Sequence, residues 1–184
     1  DRIQVIGSDD TFRASTGGTR ENGIYDGETF DARLEPAGWD AAGFDDSRWD
    51  AVEEVDWPLE SLTSTTAEPI RRIEELAPVA IIATPAGKTV VDFGQNISGR
   101  VRVEIDAEEG TAVTFRHAEV MVAGEIDTET MRTARATDRF IASGTGRHTW
   151  EPRFTFHGFR YVEVDGWPGE LEPSAIRAIV IHSD

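Results

Sequence analysis

The stretch VVDFGQNISGRVRVEI (residues 90–105) decides how the rest of the chain is read. Val90, Val91 and Phe93 form a short apolar run, and Gly94 through Gly99 bring turn chemistry. Val101, Val103 and Ile105 then alternate with Arg100, Arg102 and Glu104. The pattern predicts a strand, a tight polar turn and a half-buried second strand. Asp92, Gln95 and Asn96 form the polar centre. Loops carried on rigid sheets are where binding residues usually lie. Asp, Asn and Gly in turns also bond their own backbone, which makes a turn-stabilising network the commoner role for this centre.

The same texture continues on both sides. VAIIAT, TVVDF, TAVTFRHAEV, TDRFIAS, TWEPRFTF, FRYVEV and AIRAIVIH are short β-type runs, separated by Gly and Pro turn signals that include Glu109-Gly110, Ala123-Gly124 and His157-Gly158. The run IRRIEEL (residues 70–76) is read as a further strand, because Pro69 and Pro78 leave too little room for a helix. In residues 150–164, Trp150, Phe154, Phe156, Val162 and Val164 are expected on one face, with Phe159 and Tyr161 loading the other. These patterns predict an all-β fold with little helix, an antiparallel two-sheet β-sandwich.

Upstream, residues 2–7 and 11–15 are strand candidates joined through Ser8-Asp9-Asp10, and residues 23–33 form a turn at Asp26-Gly27 with short strand arms. In residues 36–58, Asp45-Asp46-Ser47 can cap one turn of helix, with Phe44 and Trp49 as anchors. Leu59 to Thr66 is polar and aperiodic and is read as a linker, so residues 1–66 and 67–184 are taken as two modules. Charge divides unevenly between the two parts of the chain. Residues 1–60 hold 16 acids and 5 bases, and the remainder holds 19 and 13, of 35 and 18 in all.

A net charge of −17 repels phosphate backbones and anionic membranes, so neither nucleic acid nor a membrane is expected as partner. With no cysteine, thiolate chemistry and disulfides are excluded, and the compartment is left open. The first residue is Asp1, without a signal-like segment, so the chain reads as a piece of a longer one. Asp92-Phe93-Gly94 matches a kinase triplet, but no phosphate loop or catalytic loop accompanies it. His117 and Glu119, two apart on a predicted strand, suit a hydrogen-bonded pair or two metal ligands, and with no third ligand visible the structural pair is preferred to metal or catalysis. His148, His157 and His182 fall near strand ends and are read as loop or edge residues. Carboxylate pairs for glycoside hydrolysis are too numerous to select among. No cofactor is expected. For calcium, the candidates are Asp26, Asp45 and Asp46, with solvated acid the default.

Four separated strings resemble, in order, the amino-terminal region of bacterial α-L-rhamnosidases of glycoside hydrolase family 78: YDGETFDARLEPAGWDAAGFDDSRWDAV (25–52), VVDFGQNISGRVRV (90–103), RTARATDRFI (132–141) and WEPRFTFHGFRYVEV (150–164). The resemblance implies a partial sugar-binding-like β module over 1–66, followed by a jelly-roll or concanavalin-like sandwich over 67–184. It also implies a catalytic (α/α)6 barrel elsewhere in the same polypeptide, with no catalytic residues in this chain. Hydrolysis of terminal L-rhamnose would then belong to the full-length enzyme, and this segment would scaffold the barrel. The alternative is an autonomous module that binds L-rhamnose or a related sugar. Tyr25, Asp26, Glu28, Asp92, Gln95 and Asn96 are the carbohydrate or interface candidates.

Overall fold

The structure, a computed structural model, describes residues 3–4, 7–144 and 146–183. The chain divides into two compact units, one made of residues 1–17 and 36–67 and the other of residues 18–35 and 68–184. The smaller unit is mostly turns. Its strands β1 (Arg13–Ala14) and β4 (Asp50–Ala51) pair antiparallel. The hairpin expected between residues 2–7 and 11–15 is therefore replaced, on the 11–15 side, by a partner from far along the chain. Residues 2, 5 and 6 of the first candidate lie outside the described residues. The helical turn expected at Asp45 is only a turn. Asp45 Oδ1 accepts from the Ser47 amide at 3.0 Å, and the Phe44 and Trp49 rings lie 5.4 Å apart.

The larger unit contains strands β2 (Thr19–Gly23), β3 (Gly27–Asp31), β5 (Ile70–Leu76), β6 (Ala80–Ala83), β7 (Thr89–Ile105), β8 (Ala112–Ala118), β9 (Val120–Val122), β10 (Glu125–Asp127), β11 (Thr137–Ile141), β12 (His148–Trp150), β13 (His157–Asp165) and β14 (Ile176–Ser183). Helix among the described residues is confined to short 3-10 turns. The main sheet runs β2-β3-β11-β8-β13-β7-β14-β5, with β6 and β12 also on β7. Pairing is antiparallel except between β3 and β11, which are parallel. Residues 18–35 thus supply two strands to the sheet built by residues 68–184.

Strand β7 pairs with four other strands, and here the reading of residues 90–105 is corrected. No turn interrupts it, because residues 89–105 form one 17-residue strand. Its first part pairs with β6 and β13. From Gly99 onward it pairs with β14, and at its end with β12. Gly99 is required at the crossing, since a Cβ there would lie 2.3 Å from the Ile179 carbonyl oxygen. The turn-like residues are instead a bulge. Asp92 pairs with Tyr161 and Ile97 with Phe159, so five steps along β7 match two along β13. Gly94, at φ +83°, takes the left-handed conformation that starts the bulge.

The larger unit encloses one core. Val101, Val103 and Ile105 are buried in the expected alternation, together with Phe115, Phe140, Phe159, Val162 and Ile176. Trp150 stacks obliquely on Phe115 and Phe140, with ring centroids 5.9 and 5.4 Å apart. Phe154 and Phe156, expected inward, are exposed instead. Strand β12 ends at Trp150, Pro152 has no N–H for a ladder, and the Arg153 and Phe154 amides are taken by Glu28. His157 and Gly158, read as a turn, are the first residues of β13.

Candidate functional site

The polar centre of β7 projects from the sheet at the bulge. Gly94, Gln95 and Asn96 are exposed while Asp92 is nearly buried at their base. Asp92 Oδ1 accepts from the Gly94 amide at 2.7 Å, the local backbone bond expected of an Asp beside a glycine turn. Arg160 on β13 grips the same carboxylate with Nε and Nη2 at 2.8 and 2.9 Å, and its guanidinium also lies over the Tyr161 ring at 4.9 Å. This fork–fork geometry is the strong form of an ion pair. The Arg160 hydrogen bonds, and secondarily the Gly94 amide, hold the Asp92 carboxyl below its ordinary 3.8 against the opposing effect of burial.

Asn96 extends the face by donating to Glu119 Oε1 at 3.3 Å. That carboxylate also lies beside Gly158, and Val79 packs beside Gly94. Around this polar ridge, Val79, Val120 and Phe156 expose 65, 39 and 38% of their surface, so the face mixes fixed polar groups with uncovered apolar side chains.

The expected His117–Glu119 pair gives way to different partners. Strand β8 ends at Ala118, and Glu119 turns to the exposed Asn96. His117 is wholly buried, with Nδ1 2.9 Å from the Ala136 carbonyl oxygen, so Nδ1 carries the proton and donates. Burial first, and the neighbouring His157 second, push its pKa down to about 4. Asp138, which no local motif marks, and His157, expected at a loop or edge but buried at the start of β13, complete this region. Asp138 on β11 and His157 on β13 are both buried, with His157 Nε2 3.1 Å from Asp138 Oδ1. The signal for them was strand phase, because Asp138 shares the inward face with Phe140, and His157 shares it with Phe159.

Glu28 belongs to the same interior. It is 1% exposed and accepts from the Arg153 and Phe154 amides at 3.0 and 2.9 Å, while its own amide donates to Asp138 Oδ1 at 2.8 Å. Burial raises its pKa. Its candidate companions lie outside this interior. Tyr25 is 74% exposed in the β2–β3 loop, and Asp26 forms an exposed ion pair with Arg135 at 3.0 Å. Asp26 lines an open polar groove with Thr29, Arg116 and Arg139. Asp45 and Asp46 belong to the smaller unit. Among the described residues no helix is long and apolar enough to cross a membrane.

The fold and these features define a concanavalin-like β-sandwich with an outward polar face on its central strand. Residues 82–182 match the family described as the bacterial α-L-rhamnosidase concanavalin-like domain, and residues 1–74 match the α-L-rhamnosidase N-terminal domain. The α-L-rhamnosidase of Streptomyces avermitilis is 42% identical over 97% of this chain, which covers 18% of that protein. That of an Alteromonas strain is 33% identical over 98%, with 20% of its own length covered. The crystal structure of the α-L-rhamnosidase from Aspergillus terreus superposes with a TM-score of 0.93 at 45% identity, over 97% of this chain and 21% of that one. The Dictyoglumus thermophilum enzyme superposes at 0.90 with 38% identity, over 96 and 20%. The chain belongs to the α-L-rhamnosidase family. It spans about a fifth of the length of these relatives and corresponds to their amino-terminal and concanavalin-like portion, an accessory β-sandwich segment.

Proposed function

We propose that this chain works as the scaffolding sandwich of an α-L-rhamnosidase, with an (α/α)6 barrel of the same polypeptide removing terminal L-rhamnose from glycans or glycosides. The observation that carries the reading is the match of nearly the whole chain to about a fifth of each relative. The bulge face supports it, since Arg160 and Asp92 hold Gln95 and Asn96 outward on a rigid strand, amid uncovered Val79, Val120 and Phe156. Fixed polar groups beside uncovered apolar side chains suit contact with another protein surface. In this role the bulge docks the barrel and sets its orientation, and the acids that cleave the glycosidic bond lie outside this chain.

The purified chain is expected to release no nitrophenol from nitrophenyl α-L-rhamnoside above buffer, while the longer polypeptide does so. Turnover by the chain alone at a rate typical of enzymes would overturn the reading. A second reading, a sugar-binding module, draws on the exposed Tyr25 ring beside the Asp26 groove. Calorimetry with L-rhamnose, with and without calcium, tests it, and absence of heat in both conditions removes it.

A further inference from the structure

The interior cluster at the centre of the sheet has a feature that the scaffolding role does not require. His117, Asp138 and His157 come from β8, β11 and β13, adjacent strands in the order β11-β8-β13, and each faces inward at 3% exposure or less. Their ligand-type atoms all lie within 4.8 Å of one another, and they are the one such group of three among the described residues. The proton on His117 is placed by geometry. Nδ1 donates to the Ala136 carbonyl oxygen, so Nε2 presents a bare lone pair in the neutral ring. That lone pair faces Asp138 Oδ2 at 3.8 Å, too long for a hydrogen bond, and neither atom has a hydrogen-bond partner. Two acceptors therefore oppose each other in a sealed interior, where an unsatisfied polar atom is costly.

We propose that His117 Nε2, Asp138 Oδ2 and His157 Nε2 bind a divalent transition-metal ion, with zinc the best match to two imidazoles and one carboxylate. In a tetrahedral zinc site, ligands about 2.0–2.1 Å from the metal lie roughly 3.3 Å from one another, so these atoms need shift only by tenths of an ångström to about one ångström. The surroundings are those of a metal site. The bond from His117 to the Ala136 carbonyl fixes ring orientation and tautomer, as a metal-bound imidazole requires. The Glu28 amide holds Asp138 by its other oxygen, Oδ1. On metal binding, His157 gives up its Nε2 contact with Asp138 and carries its ring proton on Nδ1, so both imidazoles bind as neutral ligands and Asp138 as carboxylate. Because the site is sealed, loading accompanies folding rather than following it.

The test uses the whole chain, unfolded and refolded with zinc chloride or with a chelator, then dialysed and assayed for metal. About one zinc per chain is expected after refolding with zinc, with a higher Tm than in the chelated sample. His117→Gln, whose amide can still donate to Ala136, should fall below roughly a tenth of an equivalent. Refolding the wild type with cobalt(II) tests the site without any variant, and visible bands of a tetrahedral complex are expected. The proposal is overturned by wild-type zinc below roughly a tenth of an equivalent with no Tm difference, by a cobalt spectrum that stays octahedral, or by equal zinc content in wild type and His117→Gln.

Discussion

Strand β13 anchors two polar clusters three residues apart along the chain, and they obey opposite rules. His157 points into the core beside His117 and Asp138, where a polar atom without a partner is costly. Arg160 faces outward and locks Asp92 under a bulge whose tip, Gln95 and Asn96, is free to meet water or another surface. The inner cluster gains its cohesion from enclosure. The outer one gains rigidity from a single bidentate ion pair. Polarity alone therefore does not mark a functional face. What marks the bulge is that its base is fixed while its tip is uncovered.

Substitutions separate the two clusters. Asp138→Ala should have the largest effect, because the Glu28 amide and the His157 ring lose their buried acceptor together. We expect a loss of roughly 2–5 kcal/mol in urea unfolding of the isolated chain. An effect below 1 kcal/mol would mean that the buried Asp138 bonds are dispensable for stability. Arg160→Ala removes the partner of a nearly buried carboxylate at the rim, and a smaller loss than that of Asp138→Ala is expected because the arginine is partly exposed.

That second contribution carries a pH signature. Asp92 has its folded pKa below 3.8, so the pair stabilises fully above the unfolded value and loses its contribution as pH falls through the folded one. The stability gap between wild type and Arg160→Ala should therefore be constant at neutral pH and should narrow below about pH 4. A gap unchanged down to pH 2 would mean that Arg160 acts through packing on Tyr161. Smallest of all, Gln95→Ala and Asn96→Ala should shift the chain's stability by no more than about 0.5 kcal/mol. In the longer enzyme the same substitutions should weaken association of sandwich and barrel, seen as faster proteolytic separation.

Much of the fold was legible because half-buried strands carry their phase in the sequence. Val101, Val103 and Ile105 face the core as their alternation with arginine implies, and IRRIEEL is β5. The misreadings have specific causes. Glycine and asparagine in residues 94–99 signal a turn equally well when they form a bulge within a continuous strand, since φ > 0 serves both. Phe154 and Phe156 fitted the inward phase, but Glu28, more than a hundred residues away, takes the amides that a ladder would need. The pairing of β3 with β11 is likewise long-range and has no local signature. Among site residues, Asp92, Gln95 and Asn96 were visible as a polar island between apolar runs. Asp138 and His157 were visible only as charged or polar residues in phase with Phe140 and Phe159. Arg160 was not singled out, because nothing local to it names Asp92 as its partner.

If the rigid bulge docks the rest of the polypeptide as proposed, hydrogen exchange at the amides of residues 94–96 will be slower by at least roughly tenfold in the longer polypeptide than in the isolated chain, with the β14 amides unchanged. Equal exchange at 94–96 in both would show that nothing docks on the bulge.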